Sequence, residues 1–349
     1  MQDDSGQFRE PPLKAGKLPL ALLSRLLGQI DASDPRVLLG PKPGADAAVI
    51  DLGDRCLVAA TDPITFATDL IGWYAVQINA NDVAVMGAKP LWMMATLLLP
   101  QTTSAEQVQQ MFDQLRVACG TLGITLIGGH TEVTQYLPRP IVVGAMLGEV
   151  SKERLVLSGG ALPGDTIVLT GGIAIEGTAL LAREAAAALS HAGVDDDSIH
   201  RAAGSLFSHG ICVLNAAEAA CDAVSVHAMH DPTEGGLATG LLELAEAAGA
   251  GLVVDDRHIP VLPECSAICE ALALDPLGLL ASGALLLTIA SSDAPALIAA
   301  LKKQGISAQE IGTVTEQRAG VKIRTHDGLI DLPRFDRDEL ARFFDSRSD

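Results

Sequence analysis

Apolar positions along the chain recur with two periods, and each period names an element. Leu18, Leu22, Leu23, Leu26, Leu27 and Ile30 are spaced as one stripe of a helix over 18–30. From 47 to 61 the runs AAVID and CLVAAT flank LGDR, whose Gly53-Asp54 suits a tight hairpin turn, so two strands are predicted there with Asp62 at a strand end. Residues 71–87 have helical character but are apolar nearly all round (Ile71, Trp73, Tyr74, Val76, Ile78, Val83, Val85, Met86), which predicts a largely buried helix. Gly87-Ala88-Lys89-Pro90 stops it, and 91–99 reads as a buried strand. Thr103 with Glu106 suggests a capping box at the head of a helix running to Gly120, followed by strands near 124–128 and 141–148.

The stretch Ser158 to Asp165, SGGALPGD, suits neither a helix nor a strand interior. It predicts a boundary between an N-terminal unit, 1–158, and a C-terminal unit, 159–349. Beyond it, strand patterns (166–170, 222–227, 252–255, 283–290, 321–325) alternate with Ala-rich helical ones (176–189, 236–248, 294–304). The expected class is α/β or α+β, two domains, with a mixed sheet covered by helices in the second. The polar stretch 190–200, SHAGVDDDSIH, is expected to be a surface loop.

Charge narrows the function. With 24 Lys+Arg against 43 Asp+Glu the net charge is −19, which repels phosphate backbones and anionic lipid and excludes nucleic-acid and membrane partners. The longest apolar runs, 91–99 and 277–289, fall short of the roughly 20 residues that cross a bilayer. The acidic start MQDDSGQFRE lacks a signal-peptide pattern, so a cytoplasmic protein is expected. Six cysteines without a CxxC pair read as core or surface thiols, with CSAIC at 265–269 the one segment open to another role.

There is neither GxxxxGK[ST] nor GxGxxG. Instead, carboxylates stand at element ends: Asp46 in GADAAV, Asp62 in ATDP, Asp82 in NANDVAVMGAKP and Glu132 in GGHTEV. Such residues commonly cap turns, and they are also a way to hold Mg²⁺, which takes one or two protein carboxylates and completes its shell with phosphate and water. Asn79 and Asp82 share a face of the buried helix, where a carboxylate needs a metal or a polar network as partner. Gly128-Gly129-His130-Thr131 reads as a turn after a strand that could offer N–H groups to phosphate. Gly171, Gly172 and Gly177 lead into one helix, and His230-Asp231-Pro232-Thr233-Glu234-Gly235-Gly236 into another, as candidate anion-binding starts. His227 and His230 sit on a strand pattern that points them to different surroundings.

Taken in order, GADAAVID, ATDPIT, NANDVAVMGAKP, GGHTEVT and MHDPTEGGLATGLLELAEAAG resemble the ATP-binding superfamily of aminoimidazole ribonucleotide (AIR) synthetase, thiamine-monophosphate kinase, selenophosphate synthetase and the hydrogenase-maturation protein HypE. The resemblance spans roughly 14–335 and leans toward HypE-like, AIR-synthase-related proteins. It implies a two-domain fold whose N-terminal sheets pair into a barrel-like homodimer core, with ATP and Mg²⁺ as cofactors. It implies metal at Asp46, Asp62 and Asp82, phosphate or substrate at Asn79, Gly128, Gly129, His130 and Thr131, and Lys17 closing over the phosphates. Glu132, Asp231 and Glu234 are the candidate bases. The implied chemistry is ATP-dependent phosphorylation of an amide-type oxygen or another acceptor of a small substrate. The alternative is a dimer that acts as a scaffold with a partner in metalloenzyme maturation. Two departures bear on this. HypE uses its own C-terminal cysteine whereas this chain ends ELARFFDSRSD, and DPTEGG puts Glu234 where HypE-like proteins carry arginine.

Overall fold

The computed structural model describes residues 13, 16–67 and 69–346. Its first unit runs α1 (Leu20–Leu27), β1 (Val37–Leu39), β2 (Ala48–Asp51), β3 (Arg55–Ala60), β4 (Pro63–Ile64), α2 (Ile71–Ala84), β5 (Lys89–Pro100), α3 (Ala105–Leu122), β6 (Thr125–Thr134) and β7 (Ile141–Ser151). The strands form one sheet in the order β1-β2-β3-β7-β5-β6, with β4 also paired to β7; β5 and β6 are parallel and the other pairings antiparallel. The second unit runs β8 (Thr166–Thr170), α4 (Ile175–Glu184), α5 (Ala186–His191), α6 (Asp196–Ser208), α7 (Leu214–Ala223), β9 (Val226–His230), α8 (Gly236–Ala248), β10 (Gly251–Asp255), α9 (Pro263–Leu272), β11 (Leu285–Ile289), α10 (Ala294–Lys303), β12 (Ala308–Thr315), β13 (Val321–Thr325), β14 (Gly328–Asp331) and α11 (Glu339–Asp345). Its sheet has the order β14-β13-β10-β12-β8-β11-β9 and is mixed, because β10 and β13 run parallel.

The two-domain α/β expectation holds, and so does the hairpin: β2 and β3 pair across Gly53, whose φ of +102° needs glycine. Helix α2 is the centre of the first unit. All of its residues except Trp73 are buried, as its all-round apolar pattern requires. It lies against one face of the sheet, close enough that a Cβ on Gly144 would fall 2.3 Å from Asn79 Nδ2. Among the described residues no helix covers the other face, which stays partly exposed. Along β7, buried Val142, Gly144, Met146 and Gly148 alternate with half-exposed Ile141, Val143, Ala145 and Leu147, and Met94 of β5 is 41 % exposed on that open side.

Several local expectations are corrected. The capping box is one residue later: Ser104 Oγ accepts from Gln107 N–H and the Gln107 side chain accepts from Ser104 N–H, so the reciprocal pair is Ser104/Gln107 and not Thr103/Glu106. The predicted loop at 190–200 is helical over much of its length. α5 extends to His191, and Asp195, accepting from Ser198 N–H, starts α6 with two further acids in its first turn. The single helix expected over 176–189 is two, α4 and α5. The strand expected at 222–227 is β9 at 226–230, because α7 continues to Ala223. Helix α1 forms as its spacing predicts, yet none of its residues is buried.

All six cysteines are free thiols; Cys265 and Cys269 are buried with their Sγ atoms 3.9 Å apart. Among the described residues no helix is long and apolar enough to cross a membrane.

A carboxylate-lined cleft between the two units

Loops from both units deliver acids to one cleft. Asp46 precedes β2, Asp62 joins β3 to β4, Asp82 is on α2, Asp231 follows β9, and Glu234 lies on the glycine-rich loop before α8. Asp62 is held by its backbone: its N–H donates to Asn79 Oδ1 (2.8 Å), and its carbonyl accepts from Asn79 Nδ2 (3.2 Å) and Gly144 N–H (3.0 Å). Asn79 Nδ2 also donates to Ala75 O. Both ends of that amide are engaged with the main chain, and through them Asn79 positions Asp62. Nearby Asn81 ties the two units together, donating to Ile211 O (2.8 Å) and accepting from Val213 N–H (2.9 Å).

The carboxylates share one electrostatic field. Burial, then repulsion from Asp62, Asp231 and Asp46, drives the Asp82 pKa well above the carboxylate range. Burial and Asp46 do the same to Asp231. Asp62 rises to about 6 through burial, with Lys17 opposing and Glu234, Asp46 and Glu243 reinforcing. Both carboxylate oxygens of buried Asp231 and Oδ2 of Asp46 have no hydrogen-bond partner. Among the described residues no three His, Cys, Asp or Glu side chains are grouped as a metal cage. The donor set itself is all oxygen, as a hard divalent ion requires.

Two cations border this group. His230, the last residue of β9, has Nδ1 2.9 Å from Asp46 Oδ1, off the line of a hydrogen bond, and Nε2 3.1 Å from Glu243 Oε2. Desolvation would lower its pKa, but Asp46 and Glu243 carry it well above the usual value, so the ring is an imidazolium. Lys17, half-exposed, has Nζ 3.3 Å from Glu243 Oε1, and its backbone N–H donates to Glu234 Oε2 (3.0 Å). Burial would raise the Glu243 pKa, yet Lys17 and His230 hold it down at about 2. Neither His230 as an ion-pair centre nor Glu243 was singled out from sequence for this role. The signal was present, since α8 brings Glu243 back toward the His-Asp-Pro turn that precedes it. His227 points elsewhere, to Asp165 Oδ2 at 2.8 Å, as the strand alternation predicts.

A cavity of about 560 Å³ continues from the acids between the units, lined by Lys17, Asp62, Glu176 and Glu234 together with Phe66, Ile78, Leu137 and Leu280.

Other predicted site residues are not brought together in this chain. Gly128 to Glu132 are not a turn but the middle of β6, an edge strand, where they are exposed; His130 Nε2 contacts Glu132 Oε2 at 3.4 Å. That strand needs glycine at 129, since a Cβ there would meet Ala95 O at 1.9 Å. The N–H groups of Gly171 and Gly177 are taken by Ser307 O (2.9 Å) and Leu280 O (3.0 Å), and a Cβ on Gly172 would touch Leu262. Two of the donors expected to form an anion site before α4 are thus engaged within the fold. By contrast, the DPTEGG turn does open on the cleft. Its Gly235 and Gly236 have φ of +80° and +67° and pack so tightly that a Cβ on Gly236 would lie 2.4 Å from Leu277 O.

With that geometry established, comparison with known proteins decides the family. Residues 44–150 match the AIR synthase related protein N-terminal domain, and residues 163–324 match its C-terminal domain. The chain belongs to the AIR synthase related family. It is similar to a putative hydrogenase expression/formation protein of Methanocaldococcus jannaschii, at 30% identity over 298 residues covering 82% of this chain and 85% of that one. It is similar also to the carbamoyl dehydratase HypE of Cupriavidus necator, at 33% identity over 283 residues and covering 78% and 77%. A HypE solved in complex with ATP has the same fold, with a TM-score of 0.66 at 22% identity and coverage of 90% and 91%.

Proposed function

We infer that this member of the family is an ATP-dependent enzyme whose interdomain cleft holds a Mg²⁺–triphosphate and transfers a phosphoryl group to an amide-type oxygen or another acceptor. The observation that carries the reading is the buried, unpartnered carboxylate oxygens of Asp231 and Asp46 sharing a field with Asp62 and Asp82. Buried oxygens of this kind cost several kcal/mol unless a cation meets them. Asp46, Asp62 and Asp82 would hold Mg²⁺. Once bound, the ion would neutralise triphosphate charge, the main demand of phosphoryl transfer.

Lys17 stands at the rim, its ammonium already drawn toward the acids, and is placed to meet phosphate oxygens. Asp231, whose burial raises its affinity for a proton, remains a candidate base with Glu234 and Glu132. In support, a relative named as a carbamoyl dehydratase shares most of this chain's length, and a protein of this fold has been solved with ATP. A partner in hydrogenase maturation belongs to the same reading, by the name of the archaeal relative.

The uncovered face of the first sheet favours a homodimer, with the units divided at 158/159. A second copy packed there would bring exposed β6, and with it Gly128, Gly129, His130, Thr131 and Glu132, to an interface and into reach of a shared site.

Calorimetry tests the reading. The native protein takes up ATP in the presence of Mg²⁺, and Asp82→Asn loses most of that heat; absence of Mg²⁺-dependent heat from the native protein would overturn it.

A further inference from the structure

The cleft holds a second set of polar atoms that the fold does not satisfy. Glu176, in the first turn of α4, is 5% exposed and lines the cavity, and its Oε2 has no hydrogen-bond partner. Ser282, fully buried, lines the same cavity beside it without completing a hydrogen bond through Oγ. Burial raises the Glu176 pKa to about 7; the nearby serine hydroxyl opposes this, and Asp338, Glu234 and Asp62 reinforce it. The charges that weigh most on Glu176 are thus all anionic. Native folds seldom leave a buried carboxylate oxygen unpaired, and here the residue that carries it lines the cavity.

We propose that Glu176 and Ser282 form a recognition subsite for a nitrogenous cation on the acceptor substrate, an amidinium, guanidinium or ammonium group. Its N–H donors meet Glu176 Oε2 and the serine hydroxyl, while Phe66, Leu137 and Leu280 cover the apolar body. The cavity also carries Lys17 and Arg139, but the charges that act most on Glu176 are Asp338, Glu234 and Asp62, so a carboxylate or phosphate set against Glu176 itself is disfavoured. A neutral donor would satisfy the hydrogen bonds but leave the field of those acids unbalanced. This rests on the reading of the cleft as the ATP-dependent site, because it assigns the acceptor's place beside the triphosphate.

Three probes of one shape separate the chemistries: benzamidine, benzamide and benzoate, titrated calorimetrically into the full chain without nucleotide. Benzamidine binds the native protein more tightly than benzamide, and benzoate gives no heat. Glu176→Gln, a shape-matched change, weakens benzamidine by about tenfold or more and leaves benzamide within about twofold. Ser282→Ala weakens benzamidine by about threefold or more, and it decides the matter should Glu176→Gln fail to fold.

Benzamidine binding that is equal in native and Glu176→Gln protein means attraction to the acidic surface and overturns the subsite, as does benzamide binding as tightly as benzamidine, or any binding of benzoate. The two levels fail separately. A native protein that takes Mg²⁺–ATP but shows no preference for benzamidine overturns the subsite alone, whereas one that takes no Mg²⁺–ATP overturns the reading beneath it.

Discussion

Replacing Asp62 by asparagine should strengthen the metal-free fold and weaken the loaded one, with a pH signature that belongs to this carboxylate. Burial moves its pKa from 3.8 to about 6, even with Lys17 opposing. At about 1.4 kcal/mol for each tenfold change in proton affinity, the charged form costs the fold about 3 kcal/mol at most. The sign follows from the direction of the shift. Below pH 3.8 the group is protonated both folded and unfolded and costs nothing; the cost grows as pH rises and is complete above about 6.

Asparagine has nearly the same shape and keeps the backbone clamp from Asn79, so Asp62→Asn should match the native protein near pH 4 and exceed it by up to about 3 kcal/mol at pH 7.5. Urea unfolding in EDTA across pH 4–8 measures this. Adding Mg²⁺–ATP should reverse the order. A ligand at a hundredfold excess over its Kd adds about 2.7 kcal/mol to the protein that binds it, and the variant should gain far less. A variant less stable than native at pH 7.5, or an offset that does not change with pH, would refute the electrostatic reasoning.

His230→Gln removes the imidazolium between Asp46 and Glu243 and should cost about 3–5 kcal/mol in denaturant unfolding. Because the folded-state pKa is raised, that contribution is fullest below pH 6.5 and fades as pH climbs through the folded value. Asn79→Ala and Gly144→Ala should act alike, the first by deleting the clamp on Asp62 and the second by driving a methyl into it. Each should lower stability by about 2–3 kcal/mol and weaken Mg²⁺–ATP binding in calorimetry. Light scattering should find a dimer, and Ala145→Arg on the uncovered face should give a monomer with native circular dichroism; a native monomer would rule out the pairing.

Much of the fold was legible because its periodicities are strong. Helix α8 runs over 236–248 as its stripe predicts, and the all-round apolar character of α2 foretold its burial. Less was legible where polar residues do two jobs. The aspartates at 195–197 read as a loop because acids suit both surface and helix head, and only the helical bond pattern separates the two. Strand β12 escaped notice because its first residues, Ala308, Gln309 and Glu310, carry little β-branching. The acids of the cleft could be named one by one from their place at element ends. The pairing of His230 with Asp46 was hidden, because it joins residues of different units whose approach depends on packing. The exposed GGHTEV strand shows the opposite error, since two adjacent glycines look like a turn although the second permits a close strand-to-strand approach.

The Asp338 carboxylate accepts from Gly235 N–H at 2.7 Å, 103 positions away along the chain, and from Leu340 N–H at 2.7 Å at the head of α11. One side chain thus rivets the closing helix to the floor of the cleft. A purification tag or a shortening at that end is therefore no neutral handle: whatever unseats α11 reshapes the floor on which the nucleotide would rest.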